Sequence, residues 1–369
     1  MKVEKVVVRR LKMDLRFPFE TSFSIQTHRE LLIVEAHSDG IIGYGEGVAG
    51  IDPYYSPETV KTSIHMLEEF LLPVIFEIEF QHPAEINEKF ASIRGNQMAK
   101  SAIETAVWDL YAKKEKLSLA AVMGGEKSEI GVGVSIGIQP TIEELIGKVE
   151  ESIEQGYQKI KIKIKPGKDI AYLKAVRQRF PEADIMADAN SAYTLDDIEL
   201  FKEMDSIDLM MIEQPLAHDD IIDHAKLQKE ITTPICLDES IHSVDDARKA
   251  IELGSCKIIN IKIGRVGGIA EAIGIHDLCQ QQNIPVWCGG MLETGIGRAH
   301  NVAITSLAGF TIPGDTAPSA RYWKEDIIDP EVTMDNKGNI KVPQGPGIGY
   351  GINQKALKKY TVEESTYIR

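Results

Sequence analysis

Three apolar runs in this chain end in an acid: IMADAN carries Asp188, LMMIEQP carries Glu213 and ICLDES carries Asp238, with 25 residues from each acid to the next. A single acid in such a place is as readily a helix cap. Three at one spacing read as one acid per strand–helix unit, brought within coordinating distance where parallel strand ends converge. Carboxylates gathered in this way raise each other's pKa unless a cation neutralises them. An all-oxygen donor set selects a hard divalent ion, with Mg2+ the expected one. One unit upstream stands KIKIKIK, in which Lys159, Lys161, Lys163 and Lys165 share one strand face and Ile160, Ile162 and Ile164 the other. Lysines turned into a barrel are costly to bury unless carboxylates or a metal offset them. A further lysine, Lys262, follows Asp238 by 24 residues, at the end of CKIINIKIG. Two ammonium groups on either side of a cation suit carbon-acid chemistry: a proton beside a carboxylate is removed, and positive charge stabilises the enediolate left behind. A lysine acts as the base only when partly neutral, so desolvation and nearby positive charge (Lys161 beside Lys163, Arg265 and the metal near Lys262) are expected to lower its pKa.

The elements that must position these groups form a repeat. From Ile130 to about Pro313, short β-branched runs alternate with helix-period segments, the first being Ile130 to Ile138 followed by the capping signature Thr141-Ile-Glu-Glu144. Further strands are predicted at Lys159 to Ile164, Ile185 to Ala189, Leu209 to Glu213, Ile235 to Asp238, Ile258 to Ile263, Val286 to Cys288 and, weakly, Phe310 to Ile312. About eight such units in about 180 residues point to an α/β fold, a (β/α) TIM-like barrel. A doubly wound sheet would carry phosphate-binding glycines after its first strand, and the nearest match here, Gly264-Arg-Val-Gly267-Gly268, has the wrong spacing. Residues 1–125 read as an α+β capping domain, with strands at Val3 to Val8 and Leu31 to His37 and helices at Pro57 to Leu72 and Met98 to Lys116. The barrel with the metal site takes 126–319. Residues 320–369 form a turn-rich C-terminal segment, ending in the helical NQKALKKY, that is expected to pack back on the capping domain.

Composition narrows the partners. The 369 residues include 41 Lys+Arg against 56 Asp+Glu, a formal charge of −15 that repels nucleic acid and anionic membranes. No apolar run approaches the roughly 18 residues of a membrane span, and the first twenty residues are too charged for a signal-peptide core. Four cysteines, Cys236, Cys256, Cys279 and Cys288, stand singly without CxxC spacing and read as reduced cytoplasmic thiols. A small-molecule carboxylate is the expected partner, and a homo-oligomer the expected assembly.

The ordered set of KIK at 161 to 163, Asp188-Ala-Asn190, Glu213-Gln-Pro215, Asp238-Glu239-Ser240 and Asn260-Ile-Lys262 resembles the muconate-lactonising subgroup of the enolase superfamily. Gly289-Gly-Met-Leu-Glu-Thr294 and Gly314-Asp-Thr-Ala-Pro-Ser-Ala-Arg-Tyr-Trp323 are similar to segments of the o-succinylbenzoate synthases that are often also N-succinylamino acid racemases. The resemblance implies Asp188, Glu213 and Asp238 as Mg2+ ligands, Asn190 and Glu239 beside them, Lys163 and Lys262 as the catalytic pair, and Lys161 as a group that tunes Lys163. It implies dehydration of 2-succinyl-6-hydroxy-2,4-cyclohexadiene-1-carboxylate to 2-succinylbenzoate, a menaquinone-pathway step, with N-succinylamino acid racemisation as the alternative or second activity. Substrate contacts are implied at Ser135, Lys161, Asn190, Gly290 and Met291. Others are expected in the capping loops, at Phe19 and Phe23 and at Tyr54 and Tyr55. Dipeptide epimerases of the subgroup carry Asp-x-Asp on the last strand, and Gly314-Asp-Thr-Ala lacks the second acid.

Overall fold

The computed structural model describes residues 1–369. Its first unit is a four-stranded antiparallel sheet, ordered Thr361–Ile368, Lys5–Glu20, Ile25–Ser38, Ile41–Gly47. Both faces of the sheet's central strands carry buried residues. Val6, Val8, Leu32, Val34 and Ala36 pack on helix Gln97–Lys114 and its neighbours, while Leu11, Met13, Leu31 and Ile33 belong to the core shared with the barrel. That parity is the period-2 rule of a strand, and it extends the strands well beyond the predicted Val3 to Val8 and Leu31 to His37. Helix Gln97–Lys114 lies almost on the edge strand. A Cβ at Gly43 would stand 2.1 Å from the Ala106 carbonyl oxygen and one at Gly45 2.3 Å from that of Ala102, so only glycine allows this approach.

The second unit is a parallel sheet of seven strands in sequence order: Gly133–Ile136, Lys159–Lys163, Ile185–Asp188, Ile212–Glu213, Ile235–Leu237, Ile258–Ile261 and Val286–Cys288. Its outward isoleucines are buried under helices, as Ile160, Ile162 and Ile164 are. The predicted eighth strand at Phe310 to Ile312 is not formed. The barrel seam is closed instead by isolated bridges from Phe310 to Val286 and from Gly314 to Val132, and by Asp315 N donating to the Cys288 carbonyl at 2.8 Å. Glycine and proline around Ile312 leave too short a run to propagate a ladder. The predicted run Ile130 to Ile138 divides in two, Glu129–Gly131 pairing outside the barrel with Asn339–Lys341. Beyond helix Gln354–Tyr360, strand Thr361–Ile368 pairs antiparallel with Lys5–Leu11.

Buried carboxylates join the units by taking N–H groups that helix starts leave unsatisfied. Glu46 of the sheet accepts from Thr294 N (3.0 Å) and Gly297 N (2.9 Å). Glu104 of helix Gln97–Lys114 accepts from Ile269 N (2.8 Å), Ala270 N (2.9 Å) and the Trp108 indole (2.7 Å). Burial nevertheless pushes the Glu104 carboxyl up to about 7. Its proton is thus held more tightly in the folded chain than in the unfolded one, where the ordinary value is 4.5. Stability therefore falls as pH rises between those two values and is indifferent to this group outside them. Glu104→Gln is expected to flatten that fall, measured by urea unfolding across the interval; an unchanged slope would clear Glu104 of any part in it.

Candidate active site

The strand register explains why the acids and lysines meet. Lys163 pairs with Asp188 and Asp188 with Glu213, a row across three adjacent strands. Glu213 then pairs with Cys236, so Asp238 lies one step beyond the next strand end. All three carboxylates are fully buried, and Lys159, Lys161, Lys163 and Lys262 are buried with them. Lys163 Nζ donates to Asp188 Oδ2 at 2.6 Å and Asn190 Oδ1 at 2.7 Å. Opposite it, Lys262 Nζ donates to Asp238 Oδ2 at 2.7 Å and the Tyr55 hydroxyl at 2.9 Å, while Tyr55 donates to Asp238 Oδ1 at 3.1 Å. Lys161 lies among Asp315 (2.6 Å), Glu213 (3.1 Å) and Asp188 (3.2 Å). Deeper still, Lys159 Nζ sits 3.4 Å over the Trp287 ring and 3.3 Å from Asp315. Lys165 leaves this interior face and pairs with Glu20 at the rim, at 2.9 Å.

Local backbone holds the acids in place. Asn190 and Gln214, just after two of them, have φ of +42° and +38°, a strained conformation for residues with side chains and one that concentrates at functional sites. Asn190 N donates to Asp188 Oδ1 (3.0 Å) and its amide to Glu239 Oε1 (3.0 Å). The Gln214 amide links two strand ends, accepting from Asp238 N at 3.0 Å and donating to Ser240 Oγ at 2.6 Å. Asn260 donates to Glu213 Oε1 at 2.6 Å.

The charges are strongly biased. Burial tends to raise the Asp188 and Asp238 carboxyls, but Lys163 and Lys161 beside the first, and Lys262 and Arg265 beside the second, hold both below the usual range. Glu213 is pushed up to about 8 by burial and by Asp188, and Glu239 to about 8 by burial and by Asp238. The acids converge on one face, with the ammonium groups of Lys161, Lys163 and Lys262 hydrogen-bonded among them. At Lys262 burial acts to lower the ammonium, and in the protein alone Asp238 outweighs burial and the neighbouring cations and raises it; a cation held on Asp238 would take up that charge. The donor set still fits a hard divalent cation. It is all oxygen, and the unpartnered buried atoms Glu239 Oε2 and Asn260 Oδ1 lie beside it.

One pocket opens on this chemistry. Lys163, Lys262 and Asn190 form part of its wall, with Gly290 and Met291 after the seventh strand. Phe19, Phe23, Tyr54 and Tyr55 line it from the capping loops. Ser135 and Lys161 are buried but do not reach this wall; Ser135 Oγ has no hydrogen-bond partner. A Cβ at Gly290 would stand 2.7 Å from the Asp315 carbonyl oxygen, which explains glycine there. Sequence reasoning missed the contact of Asp315 with Lys161, of Tyr55 with both Lys262 and Asp238, and the presence of Arg29 in the wall. An acid closing the last unit of the repeat was the one available signal for Asp315.

Comparison with known proteins agrees with this architecture. Residues 3–124 match the mandelate racemase / muconate lactonizing enzyme N-terminal domain, and residues 144–356 the enolase C-terminal domain-like family. An o-succinylbenzoate synthase of Geobacillus kaustophilus is 57% identical over 97% of this chain and 96% of its own length. An N-succinylamino acid racemase of Thermus thermophilus is 46% identical over 98% of both. A solved enolase-superfamily protein from Listeria innocua superposes with a TM-score of 0.97 at 45% identity, covering 100% of this chain and 99% of that one. With its antiparallel cap, its parallel barrel and acids and lysines at successive strand ends, the chain belongs to the mandelate racemase / muconate lactonizing enzyme family of the enolase superfamily.

Proposed function

We propose that this protein is a Mg2+-dependent o-succinylbenzoate synthase, dehydrating 2-succinyl-6-hydroxy-2,4-cyclohexadiene-1-carboxylate to 2-succinylbenzoate in menaquinone synthesis, and that the same site racemises N-succinylamino acids. The observation that carries the reading is the pair Lys163 and Lys262, held on separate acids and both facing one pocket. The names of relatives at 57% and 46% identity support both activities.

Asp188, Glu213 and Asp238 would hold the ion. Bound there, Mg2+ would supply the positive charge against which a substrate carboxylate becomes an enediolate, and would relieve the lysines of neutralising those acids. Lys163 Nζ takes the proton alpha to the carboxylate and returns it to the departing hydroxyl, which leaves as water. Lys262, held as an ammonium between Asp238 and Tyr55, stabilises the enediolate from the other face. In racemisation each lysine serves one enantiomer. Asn190 orients Lys163, and Lys161, tied to Asp315, keeps positive charge beside it. Phe23, Met291 and Gly290 bound the substrate's other end, and Ser135 is the further substrate contact that the family resemblance implies. Asp315 is engaged by Lys159 and Lys161, which leaves no free acid in the last unit for a dipeptide's amino group.

The setting we infer is cytoplasmic and homo-oligomeric, with an ordinary division into cap (1–125), barrel (126–319) and returning C-terminal segment (320–369). No helix is long and apolar enough to cross a membrane, and all four cysteines are free and buried. The test is the ultraviolet absorbance of the cyclohexadiene substrate with purified protein and Mg2+. Fast, chelator-sensitive loss is expected. No loss from folded, metal-loaded protein would remove the synthase and leave racemisation as the leading activity.

A further inference from the structure

A buried arginine on the cap side of the pocket has no counter-ion. Arg29, on strand Ile25–Ser38, is 5% exposed and lines the same pocket as Lys163 and Lys262. Its Nη2 donates to the Val48 carbonyl at 2.7 Å, its Nη1 makes only a long contact of 3.5 Å with Gln26 Oε1, and its Nε is buried with no partner. Burial works against its charge, while Glu46 and Glu293 favour that charge from a distance without pairing. Glu46 is already engaged by Thr294 and Gly297, and Glu293 Oε1 by Asn301. Arg298, the other buried arginine with unpartnered N–H groups, is not on the pocket wall. A guanidinium withdrawn from water without an anion is an expensive arrangement for folding alone, and becomes intelligible when the anion arrives with a ligand.

We propose that Arg29 binds the second carboxylate of the substrate, at the free end of its succinyl arm. This rests on the function proposed above and adds the residue that distinguishes a succinyl group from an uncharged acyl group. A succinylated substrate is a dianion. One carboxylate goes to the acid–lysine floor, and the other needs a cation on the remaining wall, which also carries Glu30, Asp52 and Glu58 and where Arg29 is the one arginine or lysine besides Lys163 and Lys262. Its planar fork matches a carboxylate better than an ammonium would.

The test compares N-succinyl and N-butyryl derivatives of one amino acid, which differ at that end by a carboxylate in place of a methyl group. The wild-type protein is expected to prefer the succinyl form. In Arg29→Met, kcat/KM for it falls on the order of 100-fold, chiefly through KM, while the butyryl substrate stays within about threefold. Arg29→Lys keeps part of the preference. An unchanged preference in Arg29→Met, or an equal fall for both substrates with an unchanged unfolding temperature, overturns the assignment. If Arg29→Met does not fold, Arg29→Gln, which can still donate to Val48, carries the same comparison. Calorimetry with 2-succinylbenzoate against 2-butyrylbenzoate separates this proposal from the activity itself. A wild-type preference for the first that is lost in the variant supports Arg29 even if no substrate turns over. Equal binding of both by the wild-type protein counts against it.

Discussion

Lys163→Ala is expected to lower dehydration by about a thousandfold or more, the range a positioned general base supplies. The side chain is buried on the inner face of Lys159–Lys163 and reaches both Asp188 and Asn190, so no neighbour replaces its Nζ. Lys161 is 3.2 Å from Asp188 but is turned to Asp315 and Glu213 as well, beneath the pocket wall. Because Asp188 keeps Lys161 as a partner, Mg2+ affinity measured by titration calorimetry should change little. Racemisation gives a sharper readout. Interconversion should stop, while exchange of the alpha proton with solvent deuterium persists for the one enantiomer that presents it to Lys262. Turnover near the wild-type rate, or exchange lost equally for both enantiomers, would sink the division of labour between the two lysines.

Asp238→Asn is expected to weaken Mg2+ binding at least about 100-fold, since even outer partners of a metal site cost up to that much. The change also touches the protein without ion. Asp238 is the shared counter-charge of Lys262 and Arg265 and an acceptor for Tyr55. Its neutralisation leaves two buried cations short of compensation, at a cost of about 3–5 kcal/mol in unfolding free energy. Calorimetry reads the first effect and urea unfolding the second. Unchanged affinity would take Asp238 out of the ligand set. Unchanged stability would mean that the backbone carbonyls of Ile241 and Asn260, which Arg265 also contacts, suffice for that guanidinium.

Much of the site was legible because strand periodicity is local. Alternation in KIKIKIK turns Lys161 and Lys163 inward and the isoleucines outward whatever the rest of the chain does, and acids ending successive apolar runs must collect at one end of a parallel barrel. The direct pairing of Lys262 with the carboxylate of Asp238 at 2.7 Å, which opposes burial and the nearby cations, was not legible, since it depends on side-chain placement across two strand ends. The pairing of Thr361–Ile368 was invisible, since its residues are mostly exposed and show no apolar face. The eighth strand is expected at Phe310 to Ile312, but closure there runs through single bridges, from Phe310 to Val286 of the preceding strand and from Gly314 to Val132 at the far end of the repeat.

The sequence by itself determined the barrel with its cap, the row of acids and the two lysines, because each follows from the spacing of residue types along one element or from one repeat to the next. Only the tertiary structure decided that Tyr55 of the cap touches Lys262, that Asp315 secures Lys161, that Glu46 and Glu104 join cap to barrel, and that Arg29 lines the pocket without a counter-ion. Each of these depends on segments distant in the chain coming within a few ångströms, where burial and hydrogen bonding outweigh any preference the residues have alone.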